Sequence, residues 1–180
     1  MVYLEQEKKQ IENQLTFLTP GGTATLVPER VKLACAAKVS EALSEHPNTM
    51  LQFTPGQILE SVNKGWTVLA LGENLELVGF AQLWQYGFNE NGQQILEFGS
   101  WLSFRSGCGE KLLKEAVYLG RKINPAAQVV AIVERENLKA QEVLQQVGAE
   151  EIGSQFSPVI RTVEGEAAFM KIFDLREVVV

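Results

Sequence analysis

Between Ile95 and Ile123 the apolar pattern of the chain changes period, and the change falls on two glycines one residue apart. Ile95 to Phe104 reads as a strand, whereas Leu112, Leu113, Ala116, Val117 and Leu119 form the stripe of a helix from about Gly109 to Ile123. The connection is Ser103-Phe104-Arg105-Ser106-Gly107-Cys108-Gly109-Glu110-Lys111. Gly107 and Gly109 permit a tight turn with converging N–H groups, and the helix N-terminus adds positive potential, which together make a candidate phosphate cradle. Local charge agrees: Arg105, Lys111, Lys114, Arg121 and Lys122 stand against Glu110 and Glu115. The competing reading is a glycine-bearing turn before a solvated helix face. A Walker A loop is excluded because its spacing and its Lys-Ser/Thr pair are missing, and a dinucleotide fingerprint would need a glycine where Leu112 stands.

The remaining pattern arranges itself around this junction. Leu4, Ile11, Leu15 and Leu18 predict an amphipathic N-terminal helix over residues 1–20, appended to a single domain over 21–180. Thr23 to Val27 reads as a short strand. Pro28-Glu29-Arg30 opens a helix with Val31, Cys35, Val39, Ala42 and Leu43 on its apolar stripe, and Thr54-Pro55 opens another that Gly65 closes. Trp66 to Leu71, Leu77 to Tyr86 and Ile95 to Phe104 predict three consecutive antiparallel strands. A buried strand Val129 to Val133, a helix opened by Asn137 and ended by Gly148, and strands at about Glu151 to Phe156 and Glu166 to Phe173 complete the order.

Composition removes several function classes. The 180 residues carry sixteen Lys and Arg against twenty-two Asp and Glu, a net charge of −6, so nucleic acid and anionic membrane are not expected partners. No apolar run is long enough to span a bilayer, and MVYLEQEKKQIENQ is too polar for a signal peptide, so a cytoplasmic location is the expectation. With only Cys35, Cys108 and His46 available, no metal site is expected, and a Ser-His-Asp triad has little to draw on.

Two motifs in register identify a family. Gly107, Gly109, Leu112 and Leu113 match the [Q/R]-x-x-G-x-[G/A] cofactor motif and its paired aliphatics, and Asn137, Ala140 and Gly148 match the N-x-x-A-x-x-x-Y-x-x-x-G-F pattern. The chain thus resembles the GNAT superfamily of acyl-CoA-dependent N-acyltransferases over roughly Thr23 to Asp174. The resemblance implies an α+β, three-layered fold: a mixed central sheet of about seven strands with helices on both faces. It also implies transfer of an acetyl or other short acyl group from acyl-CoA to a primary amine, on a small molecule or peptide, by direct attack and without metal. Acetyl-CoA would be held by Leu102, Ser103, Arg105, Gly107, Cys108, Gly109, Glu110, Lys111 and Asn137, chiefly through backbone amides at the pyrophosphate. Glu97, an acidic residue amid apolar ones on the fourth strand, would remove the amine proton, its pKa raised by burial; the plainer alternative is a solvent-facing strand position.

Three positions depart from the pattern. Phe104 stands at the Gln/Arg position with Arg105 one residue later, Leu144 stands where many relatives carry a thiolate-protonating tyrosine, and Ala149 replaces a phenylalanine. Losing an acid at Leu144 would cost about 10²-fold or more without abolishing turnover, because a thiol of pKa near 8.5 is a tolerable leaving group. The departures keep a second reading open, a non-catalytic acyl-CoA-binding sensor or interaction module. Cys108 is either a thiol activated by its helix N-terminus or a small buried side chain. His46 either reaches the acceptor cleft or ends its helix, and Trp84, Tyr86 and Trp101 either wall the acceptor site or pack the sheet. The N-terminal helix must bury its stripe somewhere, and a second copy in a homodimer is one place.

Overall fold

Two of the helices are bounded by local chemical signals that the packing then uses. A computed structural model describes residues 15–18, 27–47, 50–152 and 170–180. In these segments β1 is Thr16–Leu18, α1 Glu29–Ser44, α2 Pro55–Lys64, β2 Thr67–Leu71, β3 Leu77–Phe88, β4 Gln94–Ser103, α3 Cys108–Ile123, β5 Gln128–Glu134, α4 Leu138–Gln146, β6 Glu150–Glu151 and β7 Met170–Asp174. α2 begins with a reciprocal capping box, in which Thr54 Oγ1 accepts from Gln57 N–H while Gln57 Oε1 accepts from Thr54 N–H, and ends on left-handed Gly65. Asn137 caps α4 by accepting from Ala140 N–H at 3.2 Å.

The strands form a seven-stranded mixed sheet in the order β1-β2-β3-β4-β5-β7-β6, antiparallel throughout except for the β4–β5 pair. Strand alternation sends Leu69, Leu71, Leu77 and Phe80 to one face, where Cys35, Ala36, Val39 and Leu43 of α1 and Ile58 and Val62 of α2 cover them. Leu83, Leu96, Phe98, Val129 and Ala131 face the other way, against Leu112, Leu113, Ala116 and Val117 of α3 and Leu144 of α4. Fully burying a side chain of this size stabilises the fold by about 1.5–3 kcal/mol. The expected α+β architecture, with helices on both faces, is present.

The N-terminal expectation needs correction. Thr16–Leu18, placed in the amphipathic helix by periodicity, is a strand paired antiparallel with Leu69–Leu71, and Leu18 is buried beneath the first helices. The ladder bonds and core burial offered by the open edge of β2 outweigh a spacing that suits either conformation over so few residues. Residues 1–14 of that helix, most of the strand expected at Thr23 to Val27, and residues 153–169 of the last two strands lie outside the described residues.

Candidate active site

A bulge on β4 builds the central feature. Gly99 pairs with Gln82 and Leu102 with Phe80, so Ser100 and Trp101 together oppose Ala81, and Ser100 adopts φ 45°. The parallel ladder to β5 stops at the same point, its last pair being Phe98 and Ala131. Beyond it the two strands diverge, leaving Gly99–Ser103 and Ile132–Glu134 without each other as partners. The resulting cleft, about 150 Å³, is lined by Gly99, Ser100 and Trp101 on one side, Ile132 and Glu134 on the other, Asn137 and Ala140 at one end, and Met50 from the α1–α2 connection. Trp101 lies against Gly109 and Phe98, and its indole Nε1 is buried without a hydrogen-bond partner among the described residues.

The N-terminus of α3 abuts this region. Gly107 takes φ 79°, a conformation that suits glycine, and supplies no capping side chain. The Cys108 N–H is engaged by the Arg105 carbonyl at 3.2 Å, which leaves the Gly109 and Glu110 amides as first-turn donors for a ligand. Close packing holds this turn against the sheet. A Cβ on Gly79 of β3 would fall 2.6 Å from Leu112 Cδ1 and 3.3 Å from Cys108 Sγ, so only glycine lets the helix approach so closely.

Among the residues expected to hold a cofactor, Asn137 lines the cleft, and the others lie at the end of β4 and in the turn into α3. Leu102 is half-buried against Phe80, and Ser103 Oγ donates to the Arg105 carbonyl at 2.7 Å. Arg105 is ion-paired with Glu76 on the β2–β3 turn at 3.3 Å, and Glu110 is paired with Lys114 at 2.9 Å. Lys111 is half-buried in the first turn of α3. Cys108 is fully buried, and burial pushes its thiol pKa up despite a hydrogen bond with Ser103 and the charges of Arg105 and Lys111. Its surroundings therefore describe an inert packing residue, and the activated-thiol reading fails.

Glu97 lies two positions before Gly99, opposite Trp84. Its carboxyl pKa is pushed up to about 7 by burial. A side chain on Gly99 would sit 3.2 Å from Glu97 Oε1 and 3.4 Å from Trp84 Nε1, so the missing Cβ leaves a notch bordered by both. Phe53 stacks on Trp84 at 4.9 Å with the rings 21° apart, and Ser40 Oγ fixes that segment by donating to the Phe53 carbonyl at 2.6 Å. Trp84 and Trp101 thus border the site, while Tyr86 packs near Ile95, Val130 and Ile172. His46 is exposed, and its carbonyl accepts from Met50 N–H in the turn that follows α1, consistent with a stop signal. Leu144 is fully buried in the core. Met50, Phe53, Gly99 and Ser100 had no sequence signal, because their roles arise from a bulge and a loop crossing.

Among the described residues, no group of three or more His, Cys, Asp or Glu is arranged to hold a metal ion, and no helix is long and apolar enough to cross a membrane. No protein-family model and no curated protein sequence matches the chain. Solved structures do. A putative acetyltransferase from Salmonella typhimurium, yncA, solved with its cofactor acetyl-CoA, aligns with TM-score 0.59 at 11% identity over 89% of this chain and 91% of that one. An acetyltransferase of the GNAT family from Staphylococcus aureus Mu50 aligns with TM-score 0.55 at 12% identity over 90% and 99%. Arabidopsis thaliana Naa50, in complex with the bisubstrate analogue CoA-Ac-MVNAL, aligns with TM-score 0.52 at 14% identity over 89% and 96%.

Proposed function

We propose that this chain, which has the fold of the GNAT acetyltransferases, is an acyl-CoA-dependent N-acyltransferase that moves an acetyl or other short acyl group onto a primary amine. The observation that carries the reading is the divergence of β4 from β5 beside the N-terminus of α3, with Glu97 next to the opening. Unpaired strand-edge amides and carbonyls suit an extended amide-bearing arm, and first-turn helix amides suit a pyrophosphate. The solved neighbours carrying acetyl-CoA or a coenzyme A conjugate support the same donor.

In this reading Gly109 and Glu110 donate backbone N–H bonds to the pyrophosphate, Arg105 adds charge after leaving Glu76, and Asn137 offers its amide from the facing helix. The edge of β4 from Ser100 to Ser103 aligns the arm so that the thioester lies near Gly99. Glu97, about half ionised at neutral pH, accepts a proton from the amine as its nitrogen bonds to the acyl carbon. The C–S bond then breaks with both electrons on sulfur, and the departing thiolate takes a proton from solvent, since Leu144 supplies none. The peptide conjugate bound by Naa50 makes a peptide amine as admissible as a small one.

Isothermal titration with coenzyme A and a thiol-release assay with acetyl-CoA and an amine panel test the proposal. Micromolar binding with amine-dependent thiol release is expected; absence of binding by both coenzyme A and acetyl-CoA sinks it. One observation favours a non-catalytic acyl-CoA-binding module, the buried Leu144. Saturable binding without thiol release for any amine would select that alternative.

A further inference from the structure

Among the described residues that line the cleft, only Glu134 is ionisable, and the mechanism above does not use it. It is the last residue of β5, is exposed, and takes part in none of the ion pairs among the described residues. Its main chain is fixed on both sides. The Glu134 carbonyl accepts from Asn137 N–H at 3.0 Å and from Gln141 Nε2 at 3.1 Å, and the residue pairs with Met170 of β7. The carboxylate therefore has a set origin at the cleft and keeps its acceptor oxygens for a ligand.

Strand alternation places Glu134 on the same face of the sheet as Glu97. Val129, Ala131 and Val133 pack into the core beneath α3, whereas Val130 and Ile132 belong to the cluster on the opposite face, and Glu134 continues that second row. Glu97 is the register partner of Val130, while its neighbours Leu96 and Phe98 join Val129 and Ala131 against α3. The two carboxylates thus stand on one face, separated by the four residues from Val130 to Glu134, or about 13 Å of strand. Ile132 lies between them, and Met50 reaches the same cleft from the α1–α2 connection. Anionic groups at the two ends of an apolar stretch match a ligand with a positive charge at each end of an aliphatic stem. A cleft lined by one sign of charge concentrates ligands of the opposite sign, and the net charge of −6 adds to that field.

We propose, resting on the acyl-transfer reading above, that the acceptor is a dicationic amine whose reacting nitrogen sits at Glu97, whose stem lies over Ile132, and whose far ammonium is held by Glu134. Glu134 then sets acceptor specificity without touching the reacting atoms. Because it is exposed, the far ammonium keeps part of its hydration while it pairs. A short diamine lacks that advantage, since its second charge falls over Ile132, short of the carboxylate, and loses water without gaining a partner.

The test compares n-octylamine, 1,3-diaminopropane and 1,8-diaminooctane as acceptors from acetyl-CoA, using the full chain, Glu134→Gln and Glu134→Lys. In the parent, kcat/KM for 1,8-diaminooctane is expected to exceed that for either other amine by about tenfold or more, the scale of one hydrogen bond to a charged group. The preference over n-octylamine should fall towards one in Glu134→Gln, reverse in Glu134→Lys, and weaken with added salt. The change should appear in KM and not in kcat, with Tm held, because the side chain is exposed and remote from the reacting atoms. A carboxylate that only solvates the surface would leave the ratio equal in all three proteins; that result, or a preference of the parent for n-octylamine, overturns the proposal. Titration of 1,8-diaminooctane without donor, followed by Trp fluorescence, separates the two levels. Diamine binding that is lost in Glu134→Gln, with no coenzyme A binding, would refute the acyl-transfer reading and keep this site, whereas coenzyme A binding and thiol release with no dependence on Glu134 would do the reverse.

Discussion

Glu97 and Trp84 are direct cross-strand partners, and the carboxylate of one and the indole nitrogen of the other both lie within 3.4 Å of the point that a side chain on Gly99 would occupy. That arrangement removes water from the carboxylate and leaves it with a pKa of about 7. As the proposed base, Glu97 would act only when ionised, so the rate should rise with pH through about 7 and then level. Glu97→Gln should abolish that limb and lower kcat/KM by about 10²–10⁴-fold, measured as thiol release across pH 5.5 to 9.

The same group makes a prediction about stability. Its folded pKa lies above the ordinary value of 4.5, so the folded state holds its proton more tightly than the unfolded chain does. The contribution to stability is fully present below pH 4.5 and is lost as pH rises through about 7. Glu97→Gln should therefore be more stable than the parent at pH 8, by about 1–3 kcal/mol, and equal to it near pH 4 in urea denaturation.

Gly79 sets how closely α3 approaches the sheet, since a Cβ there would meet Leu112 Cδ1 at 2.6 Å and the Leu102 carbonyl at 3.0 Å. Gly79→Ala should cost about 1–3 kcal/mol by overpacking. Because the displaced element is the first turn of α3, coenzyme A affinity should fall together with Tm, read by titration and calorimetry.

Arg105 is held by Glu76, and both side chains are more than a third exposed. Such a pair contributes about 0–1 kcal/mol, so Glu76→Gln should leave Tm nearly unchanged. It should strengthen coenzyme A binding severalfold at low salt by freeing the guanidinium, whereas Arg105→Ala should weaken it. Equal affinities in all three proteins would remove Arg105 from the pyrophosphate site.

Leu144 is fully buried among residues from β5, α3 and α4. Leu144→Tyr should lower stability by about 1–3 kcal/mol, because the core has no room for a ring and hydroxyl. Thiol release should not accelerate; a faster variant would mean that the side chain reaches the cleft.

Much of the frame was legible because its signals are short-range. Thr54, Gln57 and Gly65 bound α2 through their own backbone bonds, Asn137 caps α4 within one turn, and the alternation of Leu69, Leu71 and Phe80 with Val68, Ala70 and Ala81 assigns the two faces of the sheet. The raised pKa of Glu97 was legible from an acidic residue in an apolar strand, a pattern that translates directly into desolvation. Thr16–Leu18 was misread because three residues carry too little periodicity to outweigh pairing with a distant edge.

Residue order and local chemistry were sufficient for the succession of elements, the acidic balance and the glycine junction before α3. The cleft itself depends on contacts between segments far apart in the chain. The β4–β5 ladder stops beside the bulge at Ser100 and Trp101, the α1–α2 connection carries Phe53 over Trp84 and Met50 to the cleft, and Gly99 becomes a notch because Glu97 and Trp84 border it. Arg105 makes the same point. A cation in a loop has no evident partner until a turn 29 residues away supplies Glu76.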